Sequence, residues 1–244
     1  MSNSKLVKYT KLSPNCTKPR NKPITKITIH HMAGNLSIES CGAGFAQPTR
    51  RASSNYGIGT DGRIGLYVEE KDRSWCSSNS DNDNRAVTIE VANCGGAPEW
   101  KVSDKALAAL IELCTDICKR NGIKELKFTG DASGNLTLHK FFKATECPGK
   151  YLESKIPYIV KEVNERLNPK ATTSNKAKEV NYKVKITADE LNVRAGAGTG
   201  YKVKSTVKKG EVFTIIQEKT VAGKQWGKLK SGAGWICLTG YTAK

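Results

Sequence analysis

Residues 168–181, Asn-Pro-Lys-Ala-Thr-Thr-Ser-Asn-Lys-Ala-Lys-Glu-Val-Asn, hold almost no large apolar side chain. Such a stretch has too little to bury to join a core. It therefore splits the 244-residue chain into two separate folding problems. The expected organisation is one domain over 1–167, a linker over 168–181 and a second domain over 182–244.

The first segment mixes strand and helix signals. Ile24–His30 is rich in β-branched residues and predicts a strand, as does Ala86–Ala92. Two β-prone runs, Asn55–Gly59 and Arg63–Glu69, flank Thr60-Asp61-Gly62, a hairpin signal. Ser103–Asn121 carries apolar residues at Leu107, Leu110, Ile111, Cys114, Ile117 and Cys118, the i, i+3, i+4 rule of a buried helix face. Ser103 can cap this helix and Gly122 stops it. Leu36–Ala46 predicts a short helix, Leu126–Thr129 a short strand, and Tyr158–Leu167 a last helix with Pro157 at its start. Residues 1–23 are expected to wrap the surface, and Trp75–Arg85 to be a loop. Strands interleaved with helices give an α/β domain, a mixed central sheet flanked by helices. From Tyr182 onward, short Val/Ile/Thr runs alternate with Gly-rich turns such as Ala195-Gly196-Ala197-Gly198 and Ser231-Gly232-Ala233-Gly234. Helical periodicity is absent, so this segment predicts a small all-β domain.

Several classes are excluded early. No run approaches 18 consecutive apolar residues, so no membrane-inserted helix is expected. Met1-Ser2-Asn3-Ser4-Lys5 leads into no apolar run, so the expected place of synthesis is the cytoplasm, without a secretory signal. The eight cysteines form no Cys-x-x-Cys pair, and in a reducing compartment most should be buried free thiols. The formal charge is +17, and residues 169–244 alone carry 15 Lys+Arg against 5 Asp+Glu. A field of that sign favours a polyanionic partner: nucleic acid, an anionic membrane or a phosphate- and carboxylate-rich bacterial wall. Nucleic acid has charge alone in its favour, since no basic helix with interleaved aromatics or reading motif is present.

Chemistry concentrates in few residues. The three histidines are His30, His31 and His139. His30 and His31 end a strand, so their side chains leave on opposite faces and only one of them faces a given site. His139 stands eight residues before Cys147-Pro148-Gly149. Two imidazoles and a thiolate make a three-ligand set for a catalytic zinc with its fourth position open to water. A zinc-bound water has a pKa of about 7, which supplies hydroxide at neutral pH. A partly buried histidine and a structural cysteine fit the same spacing equally well. Glu90 lies inside Ala-Val-Thr-Ile-Glu-Val-Ala. A carboxylate there faces solvent on an edge strand, pairs with a cation such as Arg85, or lines a site as a general base.

Four motifs, taken together, resemble the zinc-dependent N-acetylmuramoyl-L-alanine amidases of type 2. They are Ile27-Thr-Ile-His30-His-Met-Ala-Gly34, Asn55-Tyr-Gly-Ile-Gly-Thr-Asp-Gly62, Val87-Thr-Ile-Glu90-Val-Ala-Asn93, and His139 through Thr145-Glu-Cys147-Pro-Gly149. They occur in that family's order across about residues 24–165. The resemblance implies zinc on His30, His139 and Cys147, Glu90 as the catalytic glutamate, and Thr145 beside the developing oxyanion. Where several relatives carry a catalytic tyrosine, two residues before Tyr56, this chain has Ser54; where many have Trp-His it has Trp75-Cys76. The end of the chain has its own resemblance. Leu191-Asn-Val-Arg194, Val207-Lys-Lys-Gly210 and Gly234-Trp-Ile236 look like a bacterial SH3 domain, a small all-β barrel. Such domains bind cell-wall peptide, and Tyr201, Trp226, Trp235 and Tyr241 are the aromatic candidates for contact. Trp226 and Trp235 serve equally as barrel core.

These resemblances imply a peptidoglycan hydrolase that cuts the amide between N-acetylmuramic acid and L-alanine while its SH3-like domain holds the wall. The expected partner is bacterial peptidoglycan, with no nucleic acid. With no secretory signal, a phage or prophage endolysin, released from the cytoplasm to act on the wall, is favoured over a host autolysin. A non-catalytic peptidoglycan binder is the rival class. Cys147 argues against it, since members that only bind typically lack that ligand.

Overall fold

The computed structural model describes residues 2–168, 177–221 and 223–243. The chain forms two compact units, Met1–Asn168 and Pro169–Lys244. In the first, β1 (Val7–Thr10), β2 (Cys16–Thr17) and β3 (Lys26–His31) precede α1 (Ile38–Phe45). There follow β4 (Tyr56–Ile58), β5 (Ile64–Leu66), β6 (Arg73–Ser74), α2 (Ser80–Arg85) and β7 (Ala86–Val91). The long helix α3 (Asp104–Arg120), β8 (Leu136–Leu138) and α4 (Lys150–Leu167) complete it. Six strands form one mixed sheet in the order β1-β5-β4-β7-β3-β8. The central strands β4, β7, β3 and β8 run parallel, and β5 returns antiparallel on β4 through the Asp61-Gly62 turn. Alternate residues of these strands are buried on both faces, as expected of a sheet covered on two sides.

Ser103 caps α3 by accepting the Ala106 N–H, and the apolar stripe predicted for that helix is buried against the sheet. Helix α1 begins where Ser37 caps it, within the expected span. Four sequence expectations change. Leu126–Thr129 is not a strand: Lys127 makes only isolated backbone bonds to Asn135 and Leu136, and the sheet edge is β8. The last helix starts at Lys150, so Pro157 is inside it. Leu152, Ile156, Ile159 and Val163 keep one buried stripe through the proline, which outweighs the backbone bond it removes. The Trp75–Arg85 stretch contains α2, capped by Asn79. The N-terminal 23 residues are not a mere wrap. They contribute β1 to the sheet, and Arg20 is buried, donating to the carbonyls of Glu70, Asp72, Asn84 and Ala86. Those carbonyls satisfy the guanidinium and tie the chain on either side of α2 to the sheet.

A tyrosine slot explains the glycines of the hairpin. Tyr67 is fully buried, and a Cβ on Gly57 would stand 2.6 Å from its ring. A Cβ on Gly42 would stand 2.9 Å from the same ring, and one on Gly65 2.9 Å from its hydroxyl. The Tyr67 hydroxyl donates to the Ile38 carbonyl at 2.7 Å, fastening the start of α1 onto the sheet.

In the second unit, β9 (Lys178–Ile186), β10 (Glu190–Arg194), β11 (Val203–Lys208), β12 (Val212–Val221), β13 (Lys224–Leu229), β14 (Trp235–Cys237) and β15 (Thr242–Ala243) form one all-β sheet. Its order is β11-β10-β14-β13-β12-β9-β15, every pair antiparallel. Val184, Ile186, Leu191, Val193, Ile215, Trp226, Leu229 and Ile236 make its core. Of the expected linker, residues 169–176 lie outside the described residues, and 178–181 are strand, not linker. The alternation Val180, Tyr182, Val184, Ile186 begins before Tyr182, and the long β12 gives those residues a partner to pair with.

Candidate active site and metal centre

Parallel register brings the chemistry to one end of the sheet. His30 on β3 pairs with Glu90 on β7, so the two side chains leave on the same face. On the other side of Glu90 stands Gly57, whose missing side chain leaves that face to Tyr67. His139 follows β8 directly, and Cys147 lies in the turn before α4. His30, Glu90 and His139 thus sit at the carboxyl ends of parallel strands, where open α/β sheets carry their crevices, and the His31 N–H holds the Cys147 turn against that end. Gly149 fixes the turn: it caps α4 with φ of 85°, and a Cβ there would stand 2.7 Å from the Cβ of Trp100.

The ligand atoms of His30, His139 and Cys147 all lie within 4.8 Å of one another. The two imidazoles face each other with centroids 4.6 Å apart. Nε2 of each is enclosed with no hydrogen-bond partner, which is costly unless something fills the gap. Burial, and then the neighbouring imidazoles, hold the His30 pKa well below its ordinary value. Burial and Lys143 lower that of His139. Both rings are therefore neutral near pH 7, the form that ligates a metal. The Cys147 thiol is pushed up by burial and by Glu90, while its Sγ accepts the His31 N–H at 3.4 Å. Two neutral imidazoles, each with an unpartnered Nε2, and one sulfur suit a divalent metal of zinc's preference.

His31 leaves the other face of β3 and packs edge-on to Trp100 at 5.1 Å, lining the cleft outside the ligand cluster. Glu90 is half-buried, with Oε2 enclosed and unpartnered, and burial raises its pKa from 4.5 to about 8. The one cation pulling it back is Arg50, across the cleft. Thr145 is exposed on the cleft wall, and its hydroxyl accepts the Cys147 N–H at 3.2 Å, leaving its own proton free to donate. The cleft encloses about 490 Å³, with Met32, Leu36 and Phe45 forming an apolar wall.

Cys76 enters the site without having been assigned a role from the sequence. Its Sγ lies 4.0 Å from Glu90 Oε1, and it forms a second close group with His30 and Glu90. Its position after Trp75 was the available signal. Tyr56 and Ser54 are outside the site. The Tyr56 hydroxyl donates to Glu70 at 2.6 Å on the far face of β4, and buried Ser54 donates to the Tyr56 carbonyl. In the second unit, Tyr201 is 52% exposed and Tyr241 39%, whereas Trp226 is 3% exposed within the core and Trp235 packs against that core. Trp226 and Tyr241 line a small cleft of about 220 Å³.

Residues 20–150 match the N-acetylmuramoyl-L-alanine amidase family, and residues 189–242 match the bacterial SH3 domain. Among solved structures, the Staphylococcus aureus hydrolase AmiA in complex with its ligand is 15% identical, covers 67% of this chain and 84% of its own, and gives a TM-score of 0.52. A mutant endolysin from Bacillus subtilis is 18% identical over 64% of this chain and 97% of its own, with a TM-score of 0.50. PlyL is 15% identical over 64% and 95%, also with a TM-score of 0.50. At these identities the likeness is one of fold. No curated protein sequence matches the chain. The amidase match alone spans more than half of the 244 residues, and the chain belongs to the N-acetylmuramoyl-L-alanine amidase family, with a bacterial SH3 domain following the amidase domain.

Proposed function

We propose that this chain is a zinc-dependent endolysin that hydrolyses the amide between the lactyl group of N-acetylmuramic acid and L-alanine. The observation that carries this reading is the convergence of His30, His139 and Cys147 close to Glu90, whose Oε2 is enclosed and unpartnered, at one cleft. The three ligands would hold zinc, which when bound supplies Lewis acidity at the scissile carbonyl and makes water more acidic. In its ionised form, which a metal cation nearby would favour over the proton held in the metal-free protein, Glu90 takes the proton of the attacking water and passes it to the leaving amine of L-alanine. The Thr145 hydroxyl, its oxygen already engaged by the Cys147 N–H, donates to the oxygen of the tetrahedral intermediate. The backbone N–H of His31, bonded to Cys147 Sγ, favours the thiolate. Cys76 Sγ faces Glu90 and limits where its carboxylate can swing.

On this reading residues 1–167 are the catalytic domain and residues 182–244 hold the wall, with Tyr201 and Tyr241 offering exposed aromatic surface. The domain is strongly cationic, which suits a wall rich in phosphate and carboxylate. The test is product chemistry on purified walls. A free L-alanine amine without new reducing sugar supports the reading; new reducing ends, or an amine from another residue, overturn it.

A further inference from the structure

Beside the cleft that holds Glu90 lies a second hollow of about 530 Å³, and the two meet at His139. Its walls carry Arg51, Arg73 and Lys143, with Trp75 and Cys76 on the side toward Glu90. None of the three cations forms an ion pair among the described residues. Arg73 reaches Thr17 with one nitrogen at 2.6 Å, but its Nε is enclosed and has no partner. Asp83 is the acid in the lining, and its oxygens are occupied by the N–H groups of Cys76 and Ser77 and the Ser77 hydroxyl. Burial raises the Asp83 pKa and Arg73 lies close enough to pull it back, so the hollow sets three cations against that one acid, with an unmet donor on Arg73, beside His139.

We infer that this hollow is the subsite for the stem peptide, and that Arg51, Arg73 and Lys143 select a peptide whose second residue bears a free α-carboxylate. The inference rests on the amidase reading and deepens it. The glycan side of the substrate is uncharged and gains nothing from three cations, whereas a carboxylate gains charge-assisted hydrogen bonds. The α-carboxylate of the second residue is the first charge the stem peptide carries beyond the scissile bond, two residues of extended peptide span about 7 Å, and the hollow opens at His139 itself. The apolar wall of Met32, Leu36 and Phe45 in the first cleft is left for the sugar and its lactyl methyl.

The experiment compares two soluble muramoyl peptides that differ only at the second residue, D-isoglutamate in one and D-isoglutamine in the other, with the zinc-loaded full chain. The acid is expected to show a kcat/KM higher by roughly 10-fold or more, carried mainly by KM. In the double variant Arg51→Gln, Lys143→Gln, which keeps only Arg73 of the three, that preference should fall to about 3-fold or less. The side chains of Arg51 and Lys143 make no hydrogen bond or ion pair among the described residues, so the melting temperature of the variant checks that its fold is kept. Equal cleavage of both substrates by the unmodified chain overturns the inference and leaves the amidase reading standing. Arg73 remains in the double variant, so a residual preference is allowed, and a preference undiminished by the two changes overturns the inference. Failure to release an L-alanine amine from either substrate overturns the amidase reading, and this inference with it.

Discussion

Glu90 shows how one residue can be expensive for the fold and necessary for the chemistry. Burial raises its pKa from 4.5 to about 8, so the metal-free folded protein holds a proton that the unfolded chain gives up. Below about pH 4.5 both states are protonated and the burial has no electrostatic cost. As pH rises toward about 8 the unfolded chain binds fewer protons, and stability falls. Metal-free Glu90→Gln should therefore melt close to the unmodified chain at pH 4.5 and above it at pH 8. A constant gap across that range in paired thermal melts would contradict this. With zinc present the same variant should keep its metal and lose roughly 10²–10⁴-fold in turnover, the range for general acid–base catalysis. A buried structural carboxylate would show the opposite, near-normal turnover per folded molecule. The two adjacent histidines separate by strand parity. His30→Ala should lose zinc by metal analysis, whereas His31→Ala, which removes a contact with Trp100, should retain most of it. Zinc loss from the His31 variant and retention in the His30 variant would reverse the assignment.

At the scale of elements, the site depends on register that local sequence only partly announces. The buried Glu70 carboxylate receives both Arg120 nitrogens at 2.6 and 2.7 Å and the Tyr56 hydroxyl, tying β4 to the end of α3. Arg120→Ala leaves that carboxylate buried against the tyrosine and the weaker Asn121 contact, and should cost about 3–5 kcal/mol. Denaturant melts check this, and a loss below about 1 kcal/mol would mean that the Glu70 carboxylate finds water. Such a network spans 50 residues and leaves no periodic trace, so nothing in the sequence pointed to it. The strands around His30 and Glu90 and the helix after Ser103 were legible because β-branched runs and the i, i+3, i+4 stripe are local signals. Pro157 misled by its usual place at a helix start, when tertiary burial of Leu152 and Ile156 carried α4 past it. Strand β8 has three residues, too short for any pattern to show. The ligand set was legible through the joint order of four motifs. Cys76 and the cationic hollow were not, because Arg51, Arg73 and Lys143 converge only when β6 and the loops flanking β8 and α1 are brought together.

At the scale of the whole molecule, each unit has a hydrophobic core of its own, with no residue in common. A chain ending at Asn168 keeps every residue of the metal cluster and the whole six-stranded sheet. It should therefore fold, bind zinc and cleave soluble muramoyl peptides with kcat/KM within about 3-fold of the full chain, since separate sites act independently. Intact walls pose a different problem. There the second unit turns each catalytic encounter into a tethered one, raising the effective concentration of substrate. It also carries 15 of the 40 Lys+Arg against 5 of the 23 Asp+Glu, so part of its hold on the wall is screened by salt. Removing it should lower pelleting with walls by roughly 10-fold or more, and flatten the dependence of what remains on ionic strength. The complementary piece, residues 177–244, should pellet with walls and release no amine. If the truncated chain pellets as well as the full one, wall affinity belongs to the cationic catalytic unit, and the second unit has some other task.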